Sequence, residues 1–357
     1  MPQGDRLPID AQSVDAPLSR FAIFLVVTVA DTEAALEAVR DVVSGIDDLV
    51  KTVGFRDLGG RLSCVVGVGA RMWDRLSPGR RPAELHEFIA ITGTPHVAPS
   101  TPGDLLFHIR ADRQDLPFEF DRLLLEALGD SVTVVDETPG FRYFDARDLL
   151  GFVDGTANPI GAELPEMSLI GDEDPNFAGG SYVIVQKYLH DLTAWGRLTT
   201  EEQEAAIGRT KADDVELPDA EGPQLAHKTL TTISDGAGGE FDILRDNMPF
   251  GRPGQQEFGT YFIGYSRRLW VTELMMQRMF VGQPPGYYDR ILDVSTPVTG
   301  TTFFVPSNPQ LRALAVPVLD EGEAETGATG GDAPAEFAAD SLGIGSLRPA
   351  TSKGVTP

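Results

Sequence analysis

Residues 21–46 read FAIFLVVTVADTEAALEAVRDVVSGI, and the fold follows from how this stretch changes period. Phe21 to Val29 is nearly continuous in β-branched and aromatic residues, the mark of a strand covered on both faces. Asp31 or Thr32 then supplies a helix cap, and Leu36, Val39, Val43 and Ile46 recur on one helical face. Outward from there, Leu62 to Val68 reads as a second strand and Leu105 to Ala111 as a third. Phe120, Leu123, Leu124, Ala127 and Leu128 define another amphipathic helix, and Ser131 to Asp136 a fourth strand. A Pro/Gly-rich stretch lies in between, with a short helix expected around Leu85 to Ile89.

The order βαβ followed by βαβ predicts a four-stranded antiparallel sheet with helices on one face, the ferredoxin-like arrangement. The second half repeats the plan with longer excursions. Tyr182 to Gln186, Thr260 to Tyr265 and Thr302 to Val305 read as strands. A capped helix starts near Thr199 or Thr200 with Glu202 or Gln203 closing a capping box, and Glu273 to Phe280 is a methionine-rich helix. The repeat is one of element order, without evident sequence identity between halves. The expected fold class is therefore α+β, with two ferredoxin-like sheets and peripheral helices of the α+β-barrel kind. The domains would span 1–150 and 151–316. Beyond Pro317 the composition turns to Glu, Gly, Ala and Thr without apolar periodicity, which predicts a disordered acidic linker over 317–339 and a tail over 340–357.

The 357 residues suffice for two domains, and the formal net charge is −25. Such a surface repels nucleic acid and anionic lipid, so neither is an expected partner. Cys64 is the single cysteine, so no intramolecular disulfide can form; its apolar surroundings read as core. The N-terminal MPQGDRLPID lacks a basic, apolar secretory pattern, and Phe21 to Ala30 is too short to span a bilayer. A soluble cytoplasmic protein is expected.

Five histidines are present: His86, His96, His108, His190 and His227. No pair has zinc spacing, and one cysteine cannot build a zinc cluster, but a single axial histidine on haem remains open to any of them. Two further segments bear chemistry. In GFVDGTANP, Gly151 to Pro159, glycines flank Asp154 and let backbone approach a flat ligand closely; an ordinary Asp-Gly turn would look the same. In RDNMPFG, the Arg245 guanidinium is permanently charged and suited to a developing oxyanion; taken alone, a surface ion pair is the more ordinary reading.

Taken together these segments resemble the dye-decolourising peroxidases, in the bacterial type B branch. GFVDGTANP resembles that family's GxxDG signature, His227 stands at the spacing of its proximal ligand, and Arg245 and Asn247 match its distal pair. GYYDRILDVS, Gly286 to Ser295, resembles a further block, and the likeness covers about residues 20–307. The resemblance implies one haem b per chain, held by His227 through Nε2, with Asp289 or otherwise Asp293 accepting from Nδ1. It implies hydrogen peroxide as oxidant, with Asp154 moving its proton, Arg245 stabilising charge as the O–O bond breaks, and Asn247 positioning peroxide or water. The products would be water and a ferryl porphyrin radical that takes electrons from dyes or other small aromatic reductants. Arg209 is expected to pair with a haem propionate. The alternative the resemblance leaves is a haem-binding, iron-handling protein without turnover. Many relatives carry glutamate where this chain has Ala157, so a manganese site from Asp214, Glu216 and Glu240 would lack one carboxylate.

The tail SLGIGSL, Ser341 to Leu347, is similar to the peptide that loads cargo enzymes into encapsulin shells. Small glycines between Leu342, Ile344 and Leu347 let an extended peptide seat its apolar side chains in shallow pockets. An encapsulin shell protein is the implied partner, and a homo-oligomeric peroxidase would gain avidity on it.

Overall fold

Phe21–Val29 forms strand β1, and its burial pattern leaves almost no residue in water. The computed structural model describes residues 10–234 and 236–315; the acidic linker and the tail with Leu342, Ile344 and Leu347 lie outside them. The other strands of the first half are β2 (Ser63–Gly69), β3 (Leu105–Ala111) and β4 (Val132–Phe141). Those of the second are β5 (Ser181–His190), β6 (Leu244–Arg245), β7 (Met248–Arg252), β8 (Glu257–Ser266) and β9 (Thr301–Val305). The sheet runs β6-β8-β5-β9-β2-β3-β1-β4, with β7 also on β8. Each half has the same order, fourth strand beside first, first beside third, third beside second, so both ferredoxin-like units are present.

The halves join edge to edge. Phe303 and Phe304 of β9 pair with Gly69 and Val68 of β2, so the two expected sheets form one ladder. At the far side β4 comes against β7: a Cβ on Gly140 would lie 2.6 Å from the Met248 Cβ. The strands thereby curl around a shared interior. Phe24 of β1 stacks on Tyr261 of β8 at 4.1 Å, and Val26, Val65, Leu106, Val183 and Ile263 fill the space around them. The alternate residues of β1, Leu25 and Val27, face the helices with Val39 and Val43. Full burial of each such side chain stabilises the fold by about 1.5–3 kcal/mol.

Helix α1 (Glu33–Ser44) starts where expected, with the Thr32 hydroxyl accepting from Ala35 N. It breaks at Gly45, and Ile46 opens a second helix, α2 (Ile46–Gly54), instead of ending the first. Helix α3 (Asp115–Leu128) packs on the first sheet. Helix α4 (Thr200–Ile207) has the capping box of Thr199 and Glu202. Helices α5 (His227–Thr231) and α6 (Leu269–Val281) complete those that matter here.

The helix expected at Leu85 to Ile89 does not form. Leu85 and Phe88 are buried, but tertiary partners claim the segment's polar groups: the Ser100 hydroxyl donates to Phe88 O at 2.8 Å, and the His86 ring meets the Glu273 carboxylate at 3.1 Å. One turn of helix cannot compete with such contacts. Among the described residues no helix is long and apolar enough to cross a membrane. Cys64 is buried, and burial pushes its thiol far up.

Candidate active site

A mostly apolar cleft in the second half gathers His227, Asp154, Arg245 and Asn247 around one space. Leu150, Phe152, Ile207, Ile243, Phe262 and three methionines of α6, Met275, Met276 and Met279, make its walls.

His227 opens the short helix α5. Its Nδ1 donates to Asp289 Oδ2 at 2.6 Å, and Asp289 is fully buried. The other carboxylate oxygen of Asp289 accepts from Ile291 N at 3.0 Å, which fixes the acceptor and through it the ring. With Nδ1 committed, Nε2 is the nitrogen left for a metal. Asp293, the other candidate partner, instead meets His96, Tyr288 and Arg290 at the surface.

Asp154 follows a tight turn, and Gly155 after it has φ +83, a conformation L residues rarely adopt. Burial raises the Asp154 carboxyl above the usual carboxylate range, against the Asn247 hydrogen bond and the Arg245 charge, which pull it down. The Asn247 amide donates to Asp154 Oδ1 at 3.3 Å and is itself oriented by Ile263 N, which donates to its carbonyl oxygen at 3.1 Å. Burial lowers Arg245 from its ordinary value while Asp154 and Asp242 support its charge; it stays a cation. One guanidinium nitrogen lies 3.7 Å from Met275 Sδ.

Asn158 is the residue that sequence reasoning passed over. Its amide nitrogen donates to Arg245 O at 2.7 Å, and its carbonyl oxygen accepts from Arg245 N at 2.9 Å. The GFVDGTANP loop therefore grips the backbone of the RDN segment. The signal was present in its membership of the same short motif as Asp154. Asp148 also lines the cleft, where burial lifts its carboxyl to about 7.

The remaining histidines are otherwise occupied. His190 reaches the cleft, but Ser295 and Thr260 hydroxyls bond both its nitrogens at 2.8 and 2.9 Å, and burial lowers it to about 4. His108 is fully buried between the sheets, and His86 faces Glu273. Arg209 is not on the cleft wall. Its guanidinium donates to Glu216 at 2.6 Å and to the Asp214 carbonyl at 3.0 Å. Two of the three carboxylates considered for manganese are thus engaged, Glu216 by Arg209 and Asp214 by the Thr156 hydroxyl at 2.6 Å and by Arg209 at 3.5 Å. Among the described residues no three His, Cys, Asp or Glu side chains converge as a metal site.

The cleft fits haem. Its walls suit a flat apolar macrocycle, one imidazole nitrogen is free to bind iron, and Gln186 Nε2 is a buried donor on the lining without a partner. A second, narrow cavity lined by Arg142, Tyr143 and Arg147 reaches Asp154, Arg245 and Asn247 from another side.

Comparison with known proteins agrees with this geometry. Residues 11–142 match the family "Dyp-type peroxidase, N-terminal" and residues 145–310 "Dyp-type peroxidase, C-terminal". A dye-decolorizing peroxidase of Rhodococcus erythropolis is 54% identical over 301 residues, 84% of this chain and 88% of its own. The structure of DyPB from Rhodococcus jostii superposes with a TM-score of 0.83 at 59% identity, covering 85% of this chain and 97% of that one. The encapsulated DyP-type peroxidase of Mycobacterium smegmatis gives 0.82 at 53% identity, covering 86% and 98%. With both halves matched in order and relatives more than half identical over most of its length, the chain belongs to the Dyp-type peroxidase family, haem enzymes that reduce hydrogen peroxide.

Proposed function

We propose that His227 would hold the haem iron and that Asp154, Arg245 and Asn247 form the peroxide-handling group of this peroxidase. The carrying observation is that these four side chains line one cleft, with the imidazole already oriented by Asp289 at 2.6 Å. Haem bound there supplies the iron at which the peroxide O–O bond is cleaved. Asp289, accepting from Nδ1, makes His227 a stronger donor and fixes its tautomer. Asp154 takes the proton from the near peroxide oxygen and returns it to the far one, which leaves as water. Arg245 neutralises the charge that builds on the departing oxygen. Asn247 holds the Asp154 carboxylate in place. The narrow cavity lined by Arg142 and Arg147 offers peroxide a polar approach to Asp154 and Arg245 and leaves the apolar cleft to haem.

The test is haem titration of apo-protein by absorbance. His227→Ala is expected to lose tight binding, whereas Arg245→Leu keeps it and loses peroxide turnover with a dye. Full haem affinity in His227→Ala would assign the iron to another ligand.

We further propose packaging through SLGIGSL, with Leu342, Ile344 and Leu347 as anchors. Its support is the similarity of this segment to cargo-loading peptides and the encapsulated state of the Mycobacterium smegmatis relative. Deleting residues 340–357 is expected to leave turnover intact and to abolish co-purification with a co-expressed encapsulin shell; retained co-purification would remove the claim.

A further inference from the structure

The wall of the cleft runs from Asp148 to Ser295, so the first half of the chain scarcely touches it. That half nevertheless reaches the RDN segment from behind. Arg245 and Asn247 face the cleft, and Asp246 between them points into the interior shared by the sheets, where it is 2% exposed. There Arg110 of β3, equally buried, donates Nη1 to Asp246 Oδ2 at 2.8 Å. Its Nη2 donates to Ser13 O. His108 Nε2 lies 3.9 Å from the same Asp246 oxygen, and its Nδ1 meets the Tyr265 hydroxyl at 2.9 Å. The rest of this interior is apolar, with Phe24, Leu106 and Tyr261 among its residues.

Withdrawing two charges from water is costly, and apolar residues of similar volume would fill the space at no loss of stability. An ion pair is better than apolar packing at holding one geometry, because its energy depends on distance and direction. The segment is irregular here: β6 is two residues long, and the chain leaves the ladder at Asp246 and Asn247 before β7 begins, so the Arg110 pair adds a side-chain anchor to the bonds from Asn158 and Ile263. A shift of the order of 1 Å in a positioned group costs about 10²-fold in rate.

We propose that Asp246 is a positioning residue, fastened by Arg110, and that this buried pair aims Arg245 and Asn247 at the peroxide site from behind. This rests on the distal role of Arg245 given above. The probe is fluoride added to the haem-loaded full chain. Fluoride bound to ferric haem accepts hydrogen bonds from distal donors, so its dissociation constant, read from the visible spectrum, reports where Arg245 points.

Single substitutions strand a buried charge, so the main variant replaces both partners, Arg110→Met with Asp246→Leu. It is expected to fold and load haem as the parent does. Fluoride binding should weaken about tenfold or more, kcat/KM for peroxide should fall in parallel, and KM for the reducing dye should stay unchanged. Arg110→Lys, which keeps the charge, should recover part of the loss. A folded, loaded double variant that binds fluoride within about twofold of the parent overturns the proposal. If the double variant does not fold, Arg110→Lys decides alone: weakened fluoride binding supports the clamp, and unchanged binding overturns it. Arg245→Leu is the control. Unchanged fluoride affinity there removes the distal assignment itself, whereas a loss there with none in the clamp variants removes only the clamp.

Discussion

Asp289 divides its carboxylate between His227 Nδ1 and Ile291 N, and it has no exposed surface. Asp289→Asn keeps the shape and removes the charge. It is expected to lower haem affinity or turnover about 10–100-fold and to raise the ferric/ferrous potential, because a neutral partner makes the imidazole a poorer donor. Spectroelectrochemistry checks the sign; an unmoved potential would mean that Asp289 only holds the ring. Asn158 acts on Arg245 through backbone alone. Asn158→Ala cuts both bonds and is expected to reduce peroxide kcat/KM by about 10-fold or more with haem uptake unchanged; stopped-flow mixing with peroxide measures it. Asp154 and Asn158 lie in one short segment and Arg245 and Asn247 in another, so each pairing was legible; that His227 shares their cleft followed only from the family resemblance. The choice between Asp289 and Asp293 was not, since both sit within one short stretch and only the fold turns one inward. Arg110 and Asp246 are 136 residues apart, and nothing in local sequence pairs them.

Helix α4 shows what a short element needs to keep its place. It has eight residues, its Thr199 hydroxyl accepts from Glu202 N, and the Glu202 carboxylate accepts in return from Thr199 N. Its last residue, Ile207, reaches the cleft wall. Thr199→Ala is expected to cost about 1 kcal/mol, a few degrees in Tm, with peroxide turnover unaffected at 25 °C. Thermal denaturation followed by circular dichroism, with dye turnover alongside, tests this. A large loss of activity without a change in Tm would instead tie the cap to the site. The cap was readable because capping is local chemistry between residues three apart. The false helix at Leu85 to Ile89 had a comparable apolar pattern, but Ser100 and Glu273 compete for its polar groups from outside the segment. The strand break at Asp246 and Asn247 was hidden for the same reason: side-chain partners on other elements fix it, not periodicity.

Joining two ferredoxin-like halves edge to edge creates a large interior, and the fold buries acids along with apolar groups. Asp121 of α3 is 5% exposed, its Oδ1 has no hydrogen-bond partner, and burial, with Glu137 adding, lifts its carboxyl to about 7. Asp148 is lifted to about 7 as well, again chiefly by burial. In the unfolded chain both return to about 3.9. Between about pH 4 and pH 7 the folded chain therefore retains protons that the unfolded chain has released, and stability falls as pH rises. Below that window these acids cost nothing; above it the full penalty persists. The net charge of −25 pushes the same way through self-repulsion, so the parent's profile alone cannot isolate the buried acids. Asp121→Asn can, because it changes the net charge by one unit and removes one penalty. The variant is expected to gain on the parent by on the order of 1–3 kcal/mol between pH 4.5 and pH 8, after allowance for solvent screening. Melting curves of both proteins in matched salt across that range carry the test. Parallel profiles would show that Asp121 is hydrated in the folded state and titrates as an ordinary carboxylate, and the pH dependence would then belong to Asp148 and surface repulsion.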